Sequence, residues 1–96
     1  MANSGPADKD DEETRALVDA ALKGDHAAWD RLVQRFSGLV WSVIRSLGLS
    51  GDDARDVFQA TWLCLVEQID RIDDPGRLGA WLADTARREA ARRSAS

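Results

Sequence analysis

A chain of 96 residues with 44 % hydrophobic content and four tryptophans is enough for one folded domain with a modest core, and no apolar run is long enough to span a bilayer. The formal net charge is −4 and the single cysteine, Cys64, allows no internal disulfide and argues against a metal cluster. The N-terminal stretch lacks the basic-then-apolar grammar of a secretory signal, so a soluble, cytoplasmic protein without metal or other cofactor is expected.

Taken in chain order, residues 1–10 are small, polar and acidic, and read as a disordered tail, with the helical domain running over 11–96. A first, shorter helix is expected from about Asp11 to Lys23, with Ala16, Leu17, Ala20 and Ala21 as a thin apolar stripe. Gly24 suits its left-handed C-terminal end, and Asp25 can cap the next helix. That second helix carries the clearest pattern in the chain. Trp29, Leu32, Val33, Phe36, Leu39, Val40, Val43, Ile44 and Leu47 repeat at i, i+3, i+4 and i+7 up to Gly48, as a central core helix requires. Ser50 with Asp53 three residues on offers a variant capping box for a third helix reaching about Arg71. Asp74 as N-cap and Pro75 as first helical residue open a fourth, which runs to about Arg93. With no strand alternation and no repeat, the expected fold is all-α: a compact bundle of four helices, one short and three longer.

The third helix is too apolar for one buried face. Val57, Phe58, Thr61, Trp62, Leu65 and Ile69 form one broad stripe, while Asp56, Gln59, Leu63, Val66 and Glu67 recur at helical spacing on the remaining circumference. A leucine and a valine set among acids and an amide have the make-up of a partner-facing patch, apolar at its centre and polar at its rim. The competing reading is a helix buried on most sides by its own domain. Cys64 lies inside the apolar run and reads as a buried small hydrophobe. His26, the only histidine, sits at a helix start. No phosphate loop, nucleophile beside a base or metal-ligand spacing is present, so no catalytic residue and no metal site is assigned and the chain is not read as an enzyme.

Charge is distributed unevenly. Residues 50–76 hold seven acids against Arg55 and Arg71, whereas residues 77–96 hold Arg77, Arg87, Arg88, Arg92 and Arg93 against Asp84 and Glu89. Adjacent surfaces of opposite sign suit two different partners. The fourth helix directs Leu78, Trp81, Leu82 and Thr85 inward and could lie along a phosphate backbone, its arginines releasing counterions or stacking on unpaired bases. Arginines that only complement a helix C-terminus are the alternative.

In this order the features resemble region 2 of bacterial sigma factors, in particular the extracytoplasmic-function (ECF) group. "LVDAALKGDHAAWDRLVQRF" is similar to the family's opening, "DARDVFQATWLCLVEQI" to its polymerase-docking segment, and "RLGAWLADTARREAARR" to the helix that meets the −10 promoter element. The likeness runs from about Leu17 to Arg93. It implies a non-catalytic transcription initiation domain whose partners are the β′ clamp helices of core RNA polymerase and the non-template strand of the −10 element, which it recognises and melts. Asp56 and Gln59 match the polymerase-binding acid and amide, and Trp62, Leu63 and Val66 continue along the same helix. Ile72, Asp73, Asp74, Arg77 and Leu78 match the loop that captures a flipped base, and Arg87, Arg88, Arg92 and Arg93 complete the implied DNA-binding set. Trp81 and Leu82 match the family's Trp-Leu pair, taken as mainly core.

The chain departs from the family pattern in places. Ala60 stands where an acid usually follows the glutamine, Arg88 where many members carry asparagine, and Arg92 where an aspartate is common. The capture loop, "IDDPGRL", is acidic and holds no aromatic residue, which disfavours phosphate contact at Asp73 or Asp74 and leaves hydrogen bonding to a base edge. The expectation is an isolated region 2 domain, without the family's second, −35-binding domain. An anti-sigma factor is a further candidate partner. The alternative function is a helical protein–protein adaptor that binds no DNA.

Overall fold

Gly24 and Gly48 divide the first half of the chain, at φ +94° and +81°, where an L side chain is strained. Each ends a helix with the same pair of backbone bonds. Gly24 N–H reaches Ala21 O and Asp25 N–H reaches Ala20 O, just as Gly48 N–H reaches Arg45 O and Leu49 N–H reaches Ile44 O. In the computed structural model, which describes residues 6–95 and the side chains of residues 9–93, these stops bound α1 (Pro6–Leu22) and α2 (His26–Ser46). After α3 (Gly51–Gln68) come two 3₁₀ turns, Ile69–Arg71 and Pro75–Arg77, and then α4 (Leu78–Ala95). The fold is all-α, with four helices and no strand among the described residues.

The first helix differs from expectation at its start. It begins at Pro6 and holds 17 residues, so residues 6–10 are helical and α1 is not markedly shorter than its neighbours. The cause is partly local: proline at the first helical position loses no hydrogen bond. It is partly tertiary, because Asp10 and Glu13 reach Arg35 of α2 at 3.6 and 2.6 Å. The expected tail over residues 1–5 lies outside the described residues. The buried stripe of α1 is also shifted: Thr14, Val18 and Ala21 are buried, Leu17 and Ala20 are half-buried, and Ala16 is exposed.

Asp25 caps α2 as its position suggests, accepting from Ala27 N–H at 2.9 Å and Ala28 N–H at 3.3 Å. The other two expected caps do not form. Ser50 is fully extended and is followed by Gly51 at φ +60°, and its hydroxyl makes no capping bond. Asp74 caps nothing either, because its carboxylate turns to Arg15 of α1 instead.

The core sits where α2, α3 and α4 converge, with α1 closing it over α2 and the Pro75–Arg77 turn. Leu32, Ile44, Leu65, Leu78 and Leu82 are fully buried, each contributing about 1.5–3 kcal/mol of burial. Along α4 the buried residues include Ala83, Ala86 and Ala90, whose small side chains let α3 pack closely. Two hydroxyls buried among these residues are satisfied within their own helices. Thr61 donates to Val57 O and Thr85 to Trp81 O, both at 2.8 Å. No helix among the described residues is long and apolar enough to cross a membrane.

Candidate functional site

The outer face of α3 carries the most exposed large apolar side chains among the described residues. Leu63 is 62 % exposed and Val66 57 %, in a domain whose other leucines and valines mostly line the core. With Phe58, Gln59 and Trp62 they line an open groove of about 310 Å³. Its floor is stiffened from behind. Trp41 of α2 stacks on Phe58 at 4.3 Å and 10°, and Phe58 meets Trp62 edge-on at 6.0 Å. The Trp62 indole N–H is buried with no acceptor among the described residues. Trp62 therefore serves as half-buried floor, while Leu63, Val66 and Gln59 make up the accessible surface. Trp41 is absent from the apolar stripe read from sequence because, although it stands three residues before Ile44, it lies to one side of that stripe at 100° per residue. A tryptophan beside the stripe in mid-helix was the available signal.

Asp56, on the same helix, faces the end of α4. Its carboxylate pairs with the Arg93 guanidinium at 3.2 Å, so the acidic and the basic surface meet at this contact. The other arginines of α4 are also engaged. Arg87 pairs with Asp84 at 3.1 Å, Arg92 with Glu89 at 3.0 Å, and Arg88 donates to Thr85 Oγ1 at 3.2 Å. All four arginines remain exposed. Glu89 also lies 3.7 Å from the Cys64 thiol. Cys64 is half-buried rather than buried, and burial first, then the Glu89 carboxylate, push its thiol pKa up. A raised thiol pKa makes a weaker nucleophile, which fits a residue without catalytic work. No group of three or more potential metal ligands occurs among the described residues.

The loop between α3 and α4 is held at both ends and open in the middle. Ile69, Gly76 and Leu78 are buried, Ile72 is half-buried, and Asp73, Asp74 and Arg77 are exposed. Leu78 is therefore an anchor inside the core, which corrects its expected place among DNA-contacting residues: a fully buried side chain presents nothing to a ligand. Asp73 and Arg77 have no ion pair among the described residues, whereas Asp74 pairs with Arg15 at 3.1 Å. Beside the loop, a cleft of about 620 Å³ runs between α1, α2 and the start of α4, with Thr14, Arg35, Phe36 and Arg77 in its walls. Arg15 and Arg35 both escape sequence reasoning, since each acts through partners on another element.

The exposed residues expected to bind a partner thus fall on three regions, the α3 face, the loop and the arginine end of α4, with Asp56–Arg93 joining the first to the third and the length of α4 separating the loop from its arginines. Residues 32–96 match the family model of sigma-70 region 2. Among curated proteins, the chain is 33 % identical over 63 residues to the RNA polymerase sigma-F factor of Priestia megaterium, covering 66 % of this chain and 25 % of that protein. It is 31 % identical over 71 residues to the RNA polymerase sigma-F factor of Bacillus subtilis (strain 168), covering 74 % of this chain and 28 % of that protein. The chain thus spans about a quarter of the length of these relatives. No solved structure matches it.

Proposed function

The chain belongs to the sigma-70 region 2 family, a non-enzymatic transcription initiation factor domain, and from that premise we propose that it docks on core RNA polymerase through α3 and holds a melted −10 promoter strand on α4 and the preceding loop. One observation carries the docking half: Leu63 and Val66 stand 62 % and 57 % exposed around an apolar groove that the domain itself does not cover. A partner helix from the polymerase β′ clamp would bury that groove, with Gln59 and Asp56 supplying polar contacts at its rim. The DNA half is supported by the placement of Arg87, Arg88, Arg92 and Arg93 on the exposed C-terminal half of α4, the helix whose other end meets the loop anchored by Leu78. Arg87 and Arg93 pair with exposed acids, and exposed ion pairs are worth only about 0.2–1 kcal/mol, so phosphates can displace them. Arg88 and Arg92 are tied to the buried Thr85 and the half-buried Glu89, with their own guanidinium groups on the surface. The site of action is then cytoplasmic, with the polymerase. The likeness of "DARDVFQATWLCLVEQI" and of the capture loop to ECF factors supports that group as the narrower placement, although the matched relatives are sigma-F factors.

A pull-down with core polymerase tests docking. The pair Gln59→Ala with Leu63→Asp is expected to lower retention by about thirtyfold, the scale of one lost hot spot. Equal retention of both proteins would refute it. For DNA, a fluorescent single-stranded −10 oligonucleotide should bind in a salt-dependent way, and Arg88→Glu with Arg92→Glu should abolish binding. Unchanged binding would remove the DNA half.

That outcome would favour a second reading, a helical adaptor that binds protein alone, with an anti-sigma factor as one candidate partner. The observation in its favour is that Arg87, Arg88, Arg92 and Arg93 all have partners within the domain.

A further inference from the structure

Thr14, Thr61 and Thr85 are all buried, but their hydroxyls are not treated alike. Thr61 and Thr85 each donate to a carbonyl one turn back in their own helix, at 2.8 Å. Thr14 of α1 is 2 % exposed, yet its hydroxyl has no hydrogen-bond partner among the described residues. A buried hydroxyl left unmatched is costly and uncommon in a folded domain. Thr14 lines the cleft of about 620 Å³ between α1, α2 and the start of α4, a volume in the range of small-molecule sites. Around it the charges are unevenly answered. Arg35 is met by Asp10 and Glu13. Asp11, one turn before Thr14, is half-buried in the cleft wall and has no ion pair among the described residues, and neither has Arg77 on the other side. The two lie too far apart to pair with each other. The apolar part of the wall is Phe36 and Leu39 of α2, Leu39 being 40 % exposed. A Cβ on Gly79 would stand 3.2 Å from Phe36 Cε1 and 3.3 Å from Leu39 Cδ2, so the absent side chain lets both rest against the start of α4.

We propose that this cleft binds a small zwitterion, an amine and a carboxylate carried on an apolar body, as in a free apolar amino acid or a short apolar peptide. Each unmatched group then finds its complement. Asp11 takes the ammonium, Arg77 takes the carboxylate, and the Thr14 hydroxyl, which can donate or accept, meets a polar group of the ligand. Phe36 and Leu39 cover the apolar part. A simple anion is disfavoured, because Asp10, Asp11 and Glu13 outnumber Arg35 and Arg77 there. A simple cation leaves Arg77 unanswered and Arg35 opposing it. The proposal does not rest on the polymerase or DNA role, and Arg77 is the one residue it shares with the proposed DNA surface.

Calorimetric titration of the 96-residue chain with leucine and with the tripeptide Ala-Leu-Ala tests it, and the tighter of the two identifies the source. For that probe, acetylating the amine or amidating the carboxylate should each weaken binding about tenfold, the value of a charge-assisted hydrogen bond. Asp11→Asn should weaken the uncapped probe about tenfold and leave the acetylated one unchanged. Arg77→Gln should weaken the uncapped probe about threefold, because Arg77 is exposed, and leave the amidated one unchanged. Thr14→Val separates a ligand contact from a structural one. Affinity should fall about fivefold, while the urea midpoint holds or rises, since the hydroxyl has no bond to lose in the free domain. Thr61→Val, which does lose a bond, should lower the midpoint and leave affinity alone. Binding of neither probe, equal affinity for capped and uncapped forms, or unchanged affinity in Asp11→Asn and Arg77→Gln would each overturn the proposal. A lowered midpoint in Thr14→Val would overturn it too, by showing that the hydroxyl serves the fold. No nucleic acid enters these titrations, so their failure leaves the DNA role where it stood.

Discussion

The outer face of α3 and the C-terminal half of α4 are both exposed helix, but they meet water in opposite ways. On α3, Leu63 and Val66 stand in solvent with an apolar groove between them and Trp62, and nothing nearby satisfies them. On α4, each arginine finds an acid or a hydroxyl close by, mostly one turn back on the same helix. The difference is one of reach. A long charged side chain can turn to a neighbour at little entropic or electrostatic cost, whereas a leucine fixed on a helix face cannot move its surface out of water. Exposed apolar surface is consequently the firmer sign of a missing partner, and local ion pairing says little about what an arginine does when a polyanion arrives.

Substitutions that separate burial from exposure should sharpen this contrast. The largest effect is expected beneath both surfaces. Leu82 is fully buried between the helices, and Leu82→Ala should destabilise the domain by about 3 kcal/mol in urea unfolding, weakening both faces together. On the α3 face the signature should reverse. Leu63→Asp should leave unfolding within about 0.5 kcal/mol of wild type, because the side chain is mostly in water already. It should nevertheless weaken polymerase binding by about 2 kcal/mol in a competition assay. A large loss of stability in Leu63→Asp would mean that the face is part of the core after all.

Much of this layout is legible in the sequence, and the reasons mark where legibility stops. The stripe of α2 and the twin faces of α3 follow from periodicity, because large apolar residues report burial directly through their spacing. Asp25 reads as a cap because nothing distant competes for it. Asp74 has the same local credentials and fails to cap, because Arg15 reaches it from another helix. Val18 and Thr14 enter the core of α1 past the expected alanines, since what α1 buries depends on how it lies over α2 rather than on its own weak pattern. Leu78 looks like part of a binding loop by its position in sequence and proves to be that loop's anchor. Contacts that join distant elements through flexible polar side chains leave no periodic trace, and the Arg15–Asp74 and Asp56–Arg93 pairs are of that kind.

That pair gives the subtlest comparison, because it is where the two surfaces touch. Asp56 sits on the proposed polymerase face, and its 3.2 Å contact to Arg93 ties that face to the proposed DNA helix. Both side chains are about half exposed, so Asp56→Asn should change unfolding stability by less than about 1 kcal/mol. Its functional effects should have opposite signs. Polymerase retention should fall, because a rim carboxylate is lost. Affinity for a single strand should rise slightly, because a negative charge near the arginines is removed and phosphates no longer compete with it for Arg93. Parallel titrations of the same variant against core polymerase and single-stranded DNA measure both. If the two affinities fell together, Asp56 would be holding the end of α4 in place for both partners. If only DNA affinity changed, the polymerase face would begin at Gln59, one helical turn further along α3.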